Sequence, residues 1–398
     1  MSPEVEPNST KTKLTSQQRQ QRLKELATVF FKLGLIAFGG PAAHIAMMDD
    51  EVVVRRRWMS REKLLDLFGV TSLIPGPNST ELAIHIGYEY AGWRGLFVAG
   101  FCFILPAMIM VWSIAAIYDY YQTLPQLESI LYGIKPVIIA IVTQALWKLG
   151  KKAAKDIPTR IAGIVVIIAF FMGINEILLL FLTGLGVMLF KNIKRRWGQM
   201  NGISLLPISE TLVSANSVAV TPDSPHWTSV FFFFLKVGSV LYGSGYVLLA
   251  FLQQDLVERW QWLTSQELLD AVAVGQLTPG PIFTTATFIG YLIAGNAGAI
   301  AATVGIFLPA FLLVGLINPW VSKLRQSPWA GSFLDGVNAA SLGLMAVVTY
   351  TLAKAAVIDL FTVILIVLNL LAVFRFKINS AWLVISGGII GFICSVVA

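Results

Sequence analysis

The chain has 398 residues, of which 56% are hydrophobic and only 13% charged, with a formal net charge of +7. Soluble domains carry about 25% charged residues, and apolar stretches such as 96–117 are long enough to span a bilayer as helices. The composition excludes a soluble enzyme, a nucleic-acid-binding protein and a disordered scaffold. It predicts an all-α polytopic membrane protein in a lipid bilayer, without nucleic-acid partners.

Two domains and a linker are predicted along the chain. Residues 1–23 are polar and lack the apolar core of a signal peptide, so we expect a disordered tail. Six apolar segments near 24–48, 64–90, 92–118, 127–150, 158–172 and 174–190 define a first domain, 24–190. A basic, then Ser/Pro/Asn-rich stretch is typical of a linker, 191–228. Six further segments near 229–252, 268–292, 294–317, 333–354, 356–374 and 380–397 define a second domain, 229–398.

The second domain repeats the sequence of the first. FFKLGLIAFGG at 30–40 returns as FLKVGSVLYGS at 234–244, and the match continues through Pro-Gly-Pro at 75–77 and 279–281. Over 30–77, 16 of 48 positions are identical at an offset of 204 residues. Beyond that stretch the match continues with a one-residue slip. The sequence therefore predicts two homologous halves.

The basic residues of matched loops indicate an inverted repeat. Loops 49–63 and 148–160 hold five Lys or Arg each, against one in each counterpart. Loops 119–127 and 171–175 hold none, whereas each counterpart holds two. Because cytoplasmic loops are enriched in Lys and Arg, equivalent loops are expected on opposite sides. We predict about ten transmembrane helices plus broken or re-entrant Pro-Gly-Pro segments. This count places the N-terminus outside, whereas the basic tail favours the inside, so its location stays open.

The Pro-Gly-Pro pair is the main candidate for an anion site. Proline blocks helical continuation, and irregular backbone at membrane depth is tolerated only around protein or a watery cavity. A helix that restarts there presents free N–H groups, which suit an anion, although a packing kink is the simpler alternative. The candidate residues are Pro75, Gly76, Pro77, Asn78 and Ser79 in one half, and Pro279, Gly280, Pro281, Thr284 and Thr285 in the other.

Three further groups of residues are candidates. Matched glycine-rich breaks contain Gly39, Gly40, Gly243 and Ser244, and helix packing through small residues is the alternative for them. Lys32 and Lys236 occupy equivalent positions in apolar runs. We expect these lysines to be unneutralised and to attract an anion, with snorkelling to the interface as the alternative. Glu81 and His85 share a helix face and form a candidate proton-coupling pair, with a polar interior contact as the alternative.

An enzyme is the less favoured class. His44 and Asp49 have the spacing seen in membrane acyltransferases, but the repeat has Leu248 and Gln253 there and no Gly-rich substrate motif follows. The chain also lacks a P-loop and a Cys/His cluster. We therefore predict no catalytic residues, no metal and no cofactor.

The motifs resemble those of a known transporter family. FKLGLIAFGGPAAHIAMM, IPGPNSTELAIHIGY and FILPAM, with FLKVGSVLYGSGYVL, LTPGPIFTTATFIGY and FLPAFL in the second half, are similar to the chromate ion transporter (CHR, ChrA-type) family over nearly the whole chain. The resemblance implies a long-chain, two-domain member, a secondary transporter (an antiporter among the open mechanisms) that exports chromate across the plasma membrane and confers resistance. Sulfate or another anion is the alternative cargo, and a homodimer is a further expectation. The first half has Asn78 and Ser79 where the second half has Ile282 and Phe283. Whether both halves bind substrate therefore stays open.

Overall fold

A computed structural model describes residues 15–38, 40–72, 74–121, 124–197, 225–242, 245–317 and 327–397. All the regular secondary structure in these ranges is helical. The first half contains α1 (Ser16–Ile36), α2 (Gly40–Asp49), α3 (Arg61–Thr71), α4 (Asn78–Tyr121), α5 (Pro125–Ala153), α6 (Ile157–Phe171) and α7 (Glu176–Trp197). The second contains α8 (Trp227–Val240), α9 (Leu248–Phe251), α10 (Ser265–Leu277), α11 (Thr285–Ile317), α12 (Pro328–Ala356), α13 (Leu360–Arg375) and α14 (Ser380–Val397). A π-helix extends α2 (Asp50–Arg55) and another extends α9 (Leu252–Arg259).

The N-terminal helix begins earlier than the sequence suggests. Thr15 caps α1 through a reciprocal capping box with Gln18, which gives acceptors to two free backbone N–H groups at the helix start. Residues 16–23, assigned to the disordered tail, are therefore helical, because local capping outweighs their polar composition. Residues 1–14 and most of the linker, 198–224, lie outside the described part of the chain.

Both Pro-Gly-Pro segments interrupt the helices predicted across them. In place of one helix over 64–90, α3 ends at Thr71 and α4 begins at Asn78. In place of one helix over 268–292, α10 ends at Leu277, and a short 3-10 turn, Ile282–Thr284, leads into α11. The prediction of broken Pro-Gly-Pro segments agrees with these helix ends.

The longest helix of each half folds back on itself. In α4 the backbone leaves helical geometry at Ala91 and Gly92, and in α11 it does so at Ala294 and Gly295. The two arms of α4 then run against each other, because a Cβ on Gly87 would lie 2.3 Å from the carbonyl oxygen of Gly95. The sequence prediction of separate segments on either side of residue 91 agrees with this turn.

The last helices of each half pack against the other half. Helix α5 packs on α13 and α14, and its equivalent α12 packs on α6 and α7. Glycines permit both crossings: Gly133 of α5 contacts the backbone of Gly387 and Gly391, and Gly336 of α12 contacts Thr183 and Gly184. These reciprocal contacts are the pattern expected of two halves related by a pseudo-two-fold axis. Helices of the two halves are therefore packed against each other.

The outer surface is apolar, as a bilayer requires. Five helical segments in the described ranges are long and apolar enough to cross a membrane: 78–121, 126–151, 176–193, 282–317 and 328–356. Large side chains such as Phe101, Ile168 and Leu371 are more than half exposed on the helices. The chain is therefore a multi-pass helical membrane protein, and ten crossings in inverted orientation stay a prediction.

Candidate functional site

The broken segments of one half contact those of the other half. The Gly76 N–H donates to the carbonyl oxygen of Leu241 at 2.8 Å, and the Gly280 N–H donates to that of Ala37 at 2.9 Å. Ala37 and Leu241 directly follow α1 and α8, so each Pro-Gly-Pro tip pairs with the helix break of the opposite half. These reciprocal bonds supply N–H donors to carbonyl groups at the helix ends.

Glycine is required at both tips. Gly76 has φ +140° and Gly280 has φ +93°, backbone geometry that residues with a Cβ rarely adopt. The tips are also crowded, since a Cβ on Gly280 would lie 2.7 Å from Cβ of Ala107. The middle residue of each Pro-Gly-Pro thus brings two broken segments into direct backbone contact.

The predicted break residues are buried at this contact. Pro75, Gly76, Pro77, Ser79, Pro279, Gly280, Pro281, Thr284 and Thr285 are buried, and Asn78 and Gly40 are half-buried. Gly39, Gly243 and Ser244 lie outside the described residues. The described break residues are thus buried or half-buried, and the two Gly N–H groups are already used in bonds between the halves.

The hydroxyl and amide groups after the two breaks differ in their bonding. Thr284 Oγ1 donates to Pro281 O and Thr285 Oγ1 donates to Ile282 O, both at 2.8 Å, so the proton of each hydroxyl is already used within its own segment. By contrast, the buried Oδ1 of Asn78 has no hydrogen-bond partner among the described residues. The first half therefore offers the free polar group, in line with the sequence asymmetry.

The two candidate lysines are neutralised. Lys32 Nζ lies 2.9 Å from Glu51 Oε1, and Lys236 Nζ lies 2.6 Å from Asp255 Oδ2. The expectation that both lysines are unneutralised is wrong, because the π-helix after each break returns an acidic residue to the preceding helix. Arg55 and Arg259 bind the same carboxylates from one turn away.

Glu51 and Asp255 are the residues that sequence reasoning missed. Asp255 is fully buried and Glu51 is 7% exposed. Both positions are acidic at the 204-residue offset of the repeat, 19 residues after the matched lysines. That signal was available in the sequence, and in the structure the ion pair connects each broken segment to the helix before it.

Glu81 lies against the Pro-Gly-Pro tip of its own half. It is completely buried, and a Cβ on Gly76 would lie 2.6 Å from its Oε1. Neither carboxylate oxygen has a hydrogen-bond partner among the described residues. His85, one turn further along α4, is also completely buried. Burial of a carboxyl group without a hydrogen-bond partner is energetically costly, and such groups in membrane-spanning segments usually have a function.

His44 and Asp49 bind separate partners. His44 Nε2–H donates to Ala37 O at 2.9 Å, the carbonyl that also accepts from Gly280. Asp49 binds the guanidinium of Arg61 at 2.6 and 3.0 Å. His44 thus has a structural role at the helix break, separate from that of Asp49.

Comparison with known proteins gives consistent matches over both halves. The sequence profile of the family described as Chromate transporter matches residues 24–189 and 228–392. The chromate transport protein of Cupriavidus metallidurans is 31% identical over 92% of this chain and 91% of its own length. The chromate transport protein of Pseudomonas aeruginosa is 29% identical over 83% of this chain and 81% of its own length.

A more distant relative extends the comparison. A protein of Methanocaldococcus jannaschii named as an uncharacterized transporter is 23% identical over 92% of both chains. No solved structure matches the chain. The matches span both halves and contain both pairs of breaks, which confirms the resemblance seen in the motifs. The chain belongs to the chromate transporter family.

Proposed function

We propose that the protein is a secondary active transporter that exports chromate across the plasma membrane and thereby confers chromate resistance. Family membership and the relatives named chromate transport protein support the cargo. Because its relatives are named transport proteins, our proposal includes no enzymatic reaction.

One observation carries the transport mechanism. The reciprocal bonds from Gly76 to Leu241 and from Gly280 to Ala37 join four helix breaks where the two halves meet. In membrane transporters built from inverted repeats, broken helices at the repeat interface form the substrate site. The proposed anion site is therefore the set of break residues, with Asn78 and Ser79 as the side chains of the first half.

The membrane potential supports the outward direction. Transfer of a dianion out of a negative interior is favoured by about 2.3 kcal/mol per charge per 100 mV, or about 4.6 kcal/mol for two charges. Proton antiport would add to this force. Glu81 is the proposed proton-carrying group, with His85 on the same helix face, because its buried carboxyl group has no other assigned partner.

Chromate uptake into inside-out vesicles tests the proposed function. Uptake should follow an imposed potential and an imposed pH gradient in the parent protein, and excess sulfate should compete. Glu81→Gln should lose the response to the pH gradient while it keeps potential-driven uptake. Unchanged pH dependence in this variant would contradict its coupling role.

Sulfate is the alternative cargo. It has the same charge and tetrahedral shape as chromate, so the proposed site can accommodate either. Sulfate flux that exceeds chromate flux at equal concentrations would favour this alternative.

A further inference from the structure

A cavity of about 520 Å³, lined by both polar and apolar residues, extends from the first Pro-Gly-Pro break to the basic loop 148–160. It lies among α3, the start of α4, the end of α5 and the middle of α12. Its polar lining consists of Ser72, Asn78, Asn338, Ser341, Lys151 and Lys155. The residues that line it include no Asp or Glu. Uncharged hydrogen-bonding groups and ammonium groups thus face the same space.

Two buried polar groups at this cavity have no hydrogen-bond partner. Ser341 is 3% exposed, and its Oγ has no partner among the described residues. The buried Oδ1 of Asn78 also has none. Buried polar side chains are nearly always satisfied, so two unpartnered groups at one cavity mark it as a candidate binding site for a polar ligand. A serine hydroxyl can donate, and rotation of the Asn78 amide presents its NH2 group instead.

The mouth of the cavity is positively charged. Lys155 is paired with Asp335 at 2.8 Å, but Lys151 forms no ion pair among the described residues, and its Nζ lies 5.2 Å from the centre of the Trp147 ring. Loop 148–160 carries five Lys or Arg and one Asp. This excess attracts anions and raises their concentration at the mouth.

The equivalent place in the other half has different side chains. Lys135 stands where α12 has Asn338, and its Nζ lies 3.5 Å from Asp270 Oδ1. Tyr118 donates to the other oxygen of Asp270 at 2.9 Å. Ile282 and Ile138 replace Asn78 and Ser341. The second half thus has an ion pair and two isoleucines where the first half has Asn338, Asn78 and Ser341.

We propose that this cavity binds the transported oxyanion, a tetrahedral dianion, on the basic side of the membrane. Asn78, Asn338 and Ser341 donate hydrogen bonds to its oxygens, and Lys151 draws it in. The proposal rests on the proposed function. Because the basic loops mark the cytoplasmic side, the site faces the compartment from which an exporter takes its cargo.

Direct binding to the purified full-length protein tests the site. The probes are radiolabelled sulfate and radiolabelled chromate, and the variants are Ser341→Ala and Asn338→Ala. Each variant removes a donor to a charged ligand and should raise the Kd for both anions about tenfold or more. Lys151→Gln should weaken binding less, mainly at low ionic strength. Thr349→Val is the matched control on α12, because Thr349 donates to Met345 O outside the cavity, and it should bind as the parent does.

A labelling experiment covers variants that fail to fold. Ser341→Cys, in a background where Cys102 and Cys394 are replaced by alanine, should react with a small hydrophilic thiol reagent, and sulfate should slow this reaction. Parent-like binding in both alanine variants, or labelling that sulfate does not slow, would overturn the site while the proposed function stands. A parent protein that binds neither anion would contradict the proposed function and this site with it.

Discussion

Gly280→Ala should weaken both stability and transport, since a methyl group at this tip meets the other half. Gly280 has φ +93°, and forcing alanine into this backbone region costs about 1–2 kcal/mol. The added Cβ would also lie 2.7 Å from Cβ of Ala107, which is fixed to the α4 backbone and cannot rotate away. Overpacking of this kind costs about 1–3 kcal/mol. The sum is about 2–5 kcal/mol.

Two matched variants separate the contributions. Gly173 has φ +81° with nothing within 4 Å of a Cβ, so Gly173→Ala carries the backbone strain alone. The equivalent position in the second half is Lys377, a non-glycine residue with φ +54°, which shows that this turn tolerates a side chain. Gly76→Ala would meet Oε1 of Glu81, the flexible end of a side chain, and should therefore cost less than Gly280→Ala.

The assay pairs the apparent melting midpoint of purified protein in detergent with chromate uptake into vesicles. The expected order of destabilisation is Gly280→Ala, then Gly76→Ala, then Gly173→Ala, with uptake lost in the first. A Gly280→Ala protein that melts and transports like Gly173→Ala would refute the reasoning, because contact between the halves at this tip would then be dispensable.

Three further predictions concern the ion pairs and the topology. Lys236→Gln should lower the free energy of unfolding by about 1–2 kcal/mol, less than the ~3–5 kcal/mol lost from a fully buried ion pair, because Lys236 is 37% exposed. A double-mutant cycle with Asp255→Asn should show coupling, and additive effects would contradict the ion pair. Burial disfavours the Asp156 carboxylate, but hydrogen bonds from Lys191 and Thr159 outweigh burial and lower the pKa of Asp156 to about 2. The contribution of Asp156 to stability is therefore complete above about pH 4 and is lost as the pH falls towards 2. Asp156→Asn should lessen the fall in melting midpoint over this range, and an unchanged fall would contradict this. Single cysteines at Arg57 and Gln261, equivalent positions with φ +52° and +54°, should react with an impermeant thiol reagent from opposite faces, and reaction from one face would contradict the inverted repeat.

The repeat and its breaks were predictable because they depend on local chemistry. Proline cannot continue a helix and glycine permits unusual backbone angles, so the pair of Pro-Gly-Pro segments predicted interrupted helices directly. The turn at Gly92 was predicted as a boundary between apolar segments. Its equivalent, Gly295, follows from the repeat.

The partners of the break residues could not be predicted in the same way. Gly76 pairs with Leu241, 165 positions later in the chain, and no local pattern records that contact. Lys135 pairs with Asp270 in the other half, which the repeat does not indicate because its equivalent is Asn338. The ion pairs of Lys32 and Lys236 are a different case, because their acidic partners recur at matched positions in the sequence. The contact itself becomes visible only in the structure, where each π-helix packs its acidic residue against the preceding helix.

Chromate flux through the purified protein tests the central claim most directly. The protein is reconstituted into liposomes, and uptake of radiolabelled chromate is measured under an imposed potential, interior positive, with protein-free liposomes and the Gly280→Ala protein as controls. The account predicts potential-dependent uptake that sulfate reduces and that both controls lack. Uptake no faster than in protein-free liposomes, with the parent protein folded and inserted, would contradict it.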